Sequence, residues 1–241
     1  MKKERLDSIL QKRGIAKTGH DSFIIVTEGT IFVDGQKAVS PAQPVSQDAV
    51  IEVRGQDAYV GRAAYKLAAG LDAFAIDPSA KICADIGAAT GGFTEVLIRR
   101  GARKIYAIDT ARGKLALKIR QDPHVFVMEQ TDVRDLASLP DAMDIAVMDV
   151  SLISLRDILL YVRRLLAPDA DVIALFKPQY ETRDPRILRR GVIKSAEDRE
   201  RILEEFKHWL VAHEWRIVGQ ITSPITGSTG NTEYLFHIRQ T

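Results

Sequence analysis

Cysteine is almost missing: Cys83 is the only one in 241 residues. That excludes intramolecular disulfides and a cysteine-rich zinc site, and it suits a reducing compartment. Cys83 sits in an apolar run, where a buried and inert thiol is expected rather than a nucleophile. No cluster of His and Cys has metal-ligand spacing, so no metal is expected. Charge of one sign is missing too. Lys and Arg number 34 against 32 Asp and Glu, for a net charge of +2. A nucleic-acid partner would have to be met by a local patch rather than by the field of the whole molecule. No apolar run is long enough to span a bilayer. The basic start, Met1-Lys-Lys-Glu-Arg5, is not followed by the apolar stretch of a secretion signal. The expected location is the cytoplasm. What is present is 46% hydrophobic and 27% charged residues, enough for a sizeable core in one large or two modest domains.

The chain is organised around Lys81-Ile-Cys-Ala-Asp85-Ile-Gly87-Ala-Ala-Thr-Gly91-Gly92-Phe93-Thr94. This reads as a short apolar strand, an acid at its end, a glycine-rich turn and then a helix. Glycines let the backbone approach a ligand closely. The helix start adds unpaired N–H groups and a positive dipole end. The spacing discriminates among cofactors. A dinucleotide loop wants G-x-G-x-x-G, and Ala89 stands at its second glycine. A P-loop wants Lys where Phe93 stands. D-x-G-x-x-x-G without either feature resembles the S-adenosyl-L-methionine loop of class I methyltransferases.

Downstream, strands alternate with helices. Runs ending at Asp109, Asp149 and Lys177 read as strands, with helices over Leu155–Leu166, stopped at Pro168, and Ala196–His213, capped by Ser195. Trp215–Ser223 and Thr232–Ile238 read as closing strands. Alternation implies an α/β fold with a doubly wound, mostly parallel sheet. Ligands then lie across the carboxyl ends of the strands, where Asp85, Asp109, Asp149 and Lys177 all fall.

Residues 1–54 form a smaller α+β unit, followed by a linker over 55–61 and the main domain over 62–241. A helix from Arg5 to Arg13 buries Leu6, Ile9 and Leu10. Phe23–Glu28 fits a helix or a strand. Thr30–Val39 reads as two strands around Asp34-Gly35, Pro41–Asp48 as loop and Val50–Val53 as a final strand. R-L-D-x-x-L-x-x-R-G with G-x-x-x-V-D-G-Q and D-x-x-I-E-V resembles the S-four RNA-binding domain, named for a small-subunit ribosomal protein. The resemblance implies that Arg5, Lys12 and Arg13 contact RNA phosphates. It departs from the family at Lys17-Thr-Gly-His-Asp21, where Ser-Arg is usual, and the unit's basic and acidic residues are nearly balanced.

Four further residues stand in short motifs: Lys66 in Y-K-L, Asp149 in M-D-V-S, Lys177 in F-K-P-Q and Glu233 in N-T-E-Y. Each alone is an ordinary surface charge. Together they resemble the Lys-Asp-Lys-Glu tetrad of FtsJ-like ribose 2′-O-methyltransferases. With the S-four-like unit and the G-x-x-T-G-G-F-T turn, nearly the whole chain resembles the TlyA family, whose members are often labelled hemolysins. The resemblance implies S-adenosyl-L-methionine as cofactor and methylation of cytidine 2′-hydroxyls in ribosomal RNA. It assigns catalysis to Lys66, Asp149, Lys177 and Glu233. It assigns the cofactor to Asp85, Gly87, Ala88, Thr90, Gly91, Gly92 and Phe93, with Asp109 at its ribose and Asp132 at its adenine. A free lysine is mostly protonated at neutral pH, so Lys177 either takes the hydroxyl proton or stabilises the developing alkoxide.

No [DN]-P-P-[YF] motif suggests methylation of a base amino group, and no second cysteine supports attack on cytosine carbon-5. The segment 182–194 carries five cations and one acid. Its Arg186, Arg189 and Arg190 are candidates for gripping rRNA phosphates. Two other readings are a non-catalytic RNA- or ribosome-binding protein on an old methyltransferase fold, and a membrane-lytic protein.

Overall fold

The computed structural model describes residues 3–27, 29–53 and 59–241. Residues 55–58 of the expected linker, with Arg54 and Glu28, lie outside the described residues.

The N-terminal part comprises β1 (Lys3–Arg5), α1 (Leu6–Lys12), α2 (Gly19–Thr27), β2 (Ile31–Val33), β3 (Gln36–Lys37), β4 (Pro44–Ser46) and β5 (Ile51–Val53). Leu6, Ile9 and Leu10 of α1 close a small core with Val26, Ile31 and Val45. Strands β3, β2 and β5 form an antiparallel sheet. Asp34 (φ 49°) and Gly35 (φ 80°) are both left-handed, as a two-residue hairpin turn requires. The undecided run Phe23–Thr27 is helical. A reciprocal cap decides it: Thr18 Oγ1 accepts from the Asp21 N–H at 3.1 Å, and Asp21 Oδ2 accepts from the Thr18 N–H at 2.9 Å. The expected loop 41–48 contains a strand, β4, which pairs antiparallel with β1. Arg5 therefore ends a strand instead of opening a helix. Pro44 is tolerated there because it begins its strand.

The remainder comprises α3 (Ala63–Phe74), β6 (Ile82–Ile86), α4 (Gly92–Arg99), β7 (Lys104–Ile108), α5 (Leu117–Arg120), β8 (Val125–Met128), β9 (Met143–Met148), α6 (Leu155–Val162), β10 (Leu166–Phe176), α7 (Pro178–Glu181), β11 (Leu188–Arg189), β12 (Val192–Ile193), α8 (Ala196–Ala212), β13 (Trp215–Thr222) and β14 (Tyr234–Gln240). The sheet order is β13-β14-β10-β9-β6-β7-β8. Strands β8 to β10 along this order are parallel, while β14 is antiparallel to both of its neighbours, β10 and β13. One face is covered by α3 and α4 through Leu67, Leu71, Phe93 and Leu97. The other is covered by α6 and α8 through Leu155, Leu159, Ile202, Phe206 and Leu210. Strand β6, residues 145–148 of β9 and residues 172–176 of β10 are buried on both faces, which is why these stretches are almost wholly apolar.

One boundary differs from expectation. Pro168 does not stop α6, which ends at Val162. The proline lies inside β10, where the register with β9 breaks between Leu166 and Asp171. A bulge leaves its missing N–H without a ladder partner to lose. Chain order reverses at β6, between β7 on one side and β9 on the other. In open α/β sheets that switch point is where ligands bind.

Candidate active site

The turn after β6 folds back on its own sheet. The N–H groups of Gly87 and Ala88 donate to the Ile108 carbonyl at 2.9 and 3.2 Å. Gly87 has φ 85°, and a side chain there would put Cβ 2.6 Å from the Asp149 carbonyl oxygen. Only glycine lets the β6 and β9 ends meet so closely. Asp85 is completely buried beneath this turn. Its Oδ2 accepts from the Thr94 N–H at 2.8 Å and the Thr94 hydroxyl at 2.6 Å, tying β6 to α4. Its Oδ1 has no partner. Burial pushes this carboxyl up to about 7, against the two Thr94 hydrogen bonds.

Two cavities open at the carboxyl edge. The first, of about 270 Å³, is lined by Lys66, Gly87, Ala88, Thr90, Gly92 and Phe93, together with Asp149, Lys177 and Glu233. The second, of about 530 Å³, is bounded by Asp109, Asp132, Ile108, Val133 and Ile153. Gly87, Ala89, Asp149 and Ser151 border both. Asp85 and Gly91 line neither. Asp109 braces two loops, accepting from the Ala89 and Ala111 N–H groups at 2.7 Å each. Asp132 is gripped by Arg134 at 2.6 Å, which holds its carboxyl below the usual carboxylate range.

Four elements deliver the tetrad. Lys66 comes from α3, Asp149 and Lys177 follow the neighbouring parallel strands β9 and β10, and Glu233 precedes β14. Lys66 and Glu233 form a buried ion pair, with side-chain exposures of 9% and 3%. Lys177 Nζ lies 2.6 Å from Asp149 Oδ1 and donates to the Val150 carbonyl and the Ser151 hydroxyl, both at 2.9 Å. Those three acceptors match the three donors of an ammonium group. The two ion pairs thus border one cleft. Such pairs hold fixed charge where water is partly excluded and fields are strong.

Ser151 was not singled out from sequence, although it stands two residues after Asp149 in the same M-D-V-S motif. Arg62, Thr226 and Ser228 also border the first cleft, and Lys114 borders the second. Their residue types are commonplace, and only tertiary structure places them here. Among the described residues, no group of His, Cys, Asp and Glu is arranged to hold a metal ion, and no helix is long and apolar enough to cross a membrane.

The N-terminal cations are engaged within the protein. Arg5 pairs with Asp7 at 2.6 Å, and Lys12 pairs with Glu4. Arg13 donates to the Ala49 and Gln47 carbonyls at 2.9 and 2.7 Å, so it fastens α1 to the segment before β5. Arg186 pairs with Asp184 at 2.8 Å. Arg189 and Arg190 are exposed on the β11–β12 hairpin.

A switch-point cleft, a Gly-rich turn without phosphate-binding features and two carboxylates on the adjoining cavity define a methyltransferase scaffold of the doubly wound class. Residues 59–240 match the FtsJ-like methyltransferase family. The chain is 36% identical to the 16S/23S rRNA (cytidine-2′-O)-methyltransferase TlyA of Mycobacterium tuberculosis, over 99% of this chain and 90% of that one. It is 34% identical to hemolysin A of Brachyspira hyodysenteriae, over 97% and 98%. A solved structure of a proposed hemolysin from Streptococcus thermophilus superposes with a TM-score of 0.74 at 32% identity, covering 100% of this chain and 90% of that one. The chain belongs to the FtsJ-like methyltransferases, in the TlyA family.

Proposed function

We propose that this protein transfers a methyl group from S-adenosyl-L-methionine to a ribose 2′-hydroxyl of ribosomal RNA, with a cytidine as acceptor. The observation that carries the reading is convergence. Lys66, Asp149, Lys177 and Glu233 come from four distant segments and meet in one cleft, which shares a wall with a second cavity. The activity for which the mycobacterial relative is named supports the acceptor.

The residues present fit the cofactor. The second cavity offers the carboxylates of Asp109 and Asp132 between apolar walls of Ile108, Val133 and Ile153. That pair of acceptors suits the hydroxyl donors of a ribose diol and an adenine amino group on a flat apolar ring. Gly87 and Ala89, at the shared wall, are small enough to admit the methionine end. When bound, the cofactor supplies an electrophilic methyl group on sulfur.

The protein's part is to position and charge-stabilise the acceptor oxygen. A hydroxyl entering the first cleft takes the place of Ser151 at Lys177 Nζ. The cation then lowers the energy of that oxygen as its proton passes to water in the open cleft and the oxygen takes up the methyl carbon. Asp149 fixes the direction of Nζ. The Lys66–Glu233 pair, fixed at the border of the same cleft, orients the ribose, which is itself a large part of the rate. The unit formed by residues 1–54 serves as an S-four-like RNA-binding domain. The exposed hairpin Arg189 and Arg190 contribute phosphate contacts close to the catalytic domain.

The test is methyl transfer from labelled cofactor to ribosomal subunits and their naked RNA. Label surviving alkali as a 2′-O-methylated dinucleotide, and lost by at least about 10²-fold in Lys177→Ala, is the expected result. Label in a base, or undiminished label in Lys177→Ala, overturns the assignment.

A further inference from the structure

The loop between β13 and β14 does more than carry Glu233. It is closed on itself: the Gly227 N–H donates to the Asn231 carbonyl and the Gly230 N–H to the Gly227 carbonyl, both at 2.9 Å. The Ser223 N–H donates to the Glu233 carbonyl at 2.9 Å. A side chain at Gly227 would collide with Glu233 Oε1. Glu233 is therefore seated by its own loop, and any shift of the loop shifts it.

Asn231, two residues before Glu233, is 2% exposed and spends its whole amide on partners. Its Oδ1 accepts from the Ile193 N–H at 3.0 Å. Its Nδ2 donates to the Gly191 carbonyl at 2.8 Å and to the Thr229 hydroxyl at 3.1 Å. Gly191 and Ile193 belong to the basic hairpin. Arg190 (φ 54°) and Gly191 (φ 77°) form its two-residue turn. The amide thus grips both the tip of the hairpin and the end of its return strand. Arg199 of α8 holds the same end, donating to the Ile193 and Lys194 carbonyls at 3.0 Å. The hairpin is anchored on two sides, and one of its anchors leads straight to the tetrad.

We infer that Asn231 is a positioning residue that couples the basic hairpin to Glu233, so that seating an RNA backbone on Arg189 and Arg190 sets the Lys66–Glu233 wall of the cleft. Buried amides whose bonds are all made resist displacement, because a lost partner leaves a desolvated group unsatisfied. A load on the hairpin tip passes to the loop rather than dissipating in a mobile connector. The inference rests on the RNA 2′-O-methyltransferase reading.

The experiment is a double-mutant cycle in the full chain, with RNA affinity and turnover measured separately. Arg189→Ala/Arg190→Ala is expected to weaken RNA binding and to lower kcat. Asn231→Ala is expected to lower kcat about tenfold while leaving RNA affinity within about twofold. Combined, the arginine changes still weaken binding but no longer lower kcat. Thr229→Val, which removes only the 3.1 Å bond, gives a smaller loss of the same kind and serves if Asn231→Ala does not fold. Independent multiplication of the two kcat losses overturns the coupling and leaves the enzyme reading intact. A wild type that methylates no RNA overturns the enzyme reading and the coupling with it.

Discussion

Asp85 shows what one buried atom does. Its Oδ1 has no partner, and burial pushes the carboxyl up to about 7, well above its ordinary value of 3.8. Below pH about 4 both folded and unfolded chains hold the proton. Between about 4 and 7 the unfolded chain releases it and the folded chain keeps it, so stability falls as pH rises. Above about 7 the loss is complete. Asp85→Asn removes this penalty while keeping an acceptor for Thr94. Its stability advantage over wild type should therefore grow from pH 4 to 7, on the order of a few kcal/mol. Parallel denaturation curves across that range would sink the assignment. Cys83, by contrast, is simply inert: burial raises its thiol to about 12. The sequence reading of a structural thiol agrees, because burial in an apolar β-strand and the nearby Asp144 disfavour a thiolate more than Lys81 favours it.

At the scale of elements, one corner joins two halves of the site. Glu181, on α7 just after Lys177, is buried, which raises its carboxyl. It accepts from the Ser154 hydroxyl at 2.5 Å and from the Leu155 N–H at 2.6 Å. A side chain from another element thus helps cap the start of α6 and holds the segment bearing Asp149 and Ser151. Glu181→Ala leaves the Leu155 N–H unsatisfied and should cost about 1–3 kcal/mol, read as a lowered urea midpoint. Turnover should fall with it, and Glu181→Gln should restore most of both. Local caps were legible: Ser195 accepts from the Asp198 N–H at 3.1 Å, as its place before an acidic first turn implies. The cap supplied by Glu181 was not, because nothing in the spacing of 154 and 181 marks them as neighbours. Pro168 misled for a related reason. A proline ends most helices, but a bulge in an adjacent strand absorbs it equally well.

For the whole molecule, charge is balanced overall, so RNA affinity has to come from patches. Arg5, Lys12 and Arg186 have acidic partners, and Arg13 is spent on backbone carbonyls. Arg189 and Arg190 are the candidates with most to give. Arg189→Ala/Arg190→Ala should flatten the plot of log affinity against log salt by about 1–2. An unchanged slope would remove the hairpin from the RNA footprint. That outcome would shift the burden to the N-terminal unit, where the same measurement on Arg5→Ala/Lys12→Ala applies.

The sequence by itself determined the alternation of strands and helices, the Gly-rich turn after β6, and the placing of Asp109, Asp149 and Lys177 at strand ends. These depend on local periodicity and on residues that punctuate it, which a linear chain displays directly. Only the tertiary structure decided that Asp149 and Lys177 are 2.6 Å apart, that Asp85 lies under the turn rather than in a cavity, and that Ser151 borders both cavities. It also decided that Asn231 reaches the hairpin some 40 residues away. Those facts follow from strand order and from how buried polar atoms find partners. Both are set by packing across the sheet, where neighbours in space are strangers in sequence.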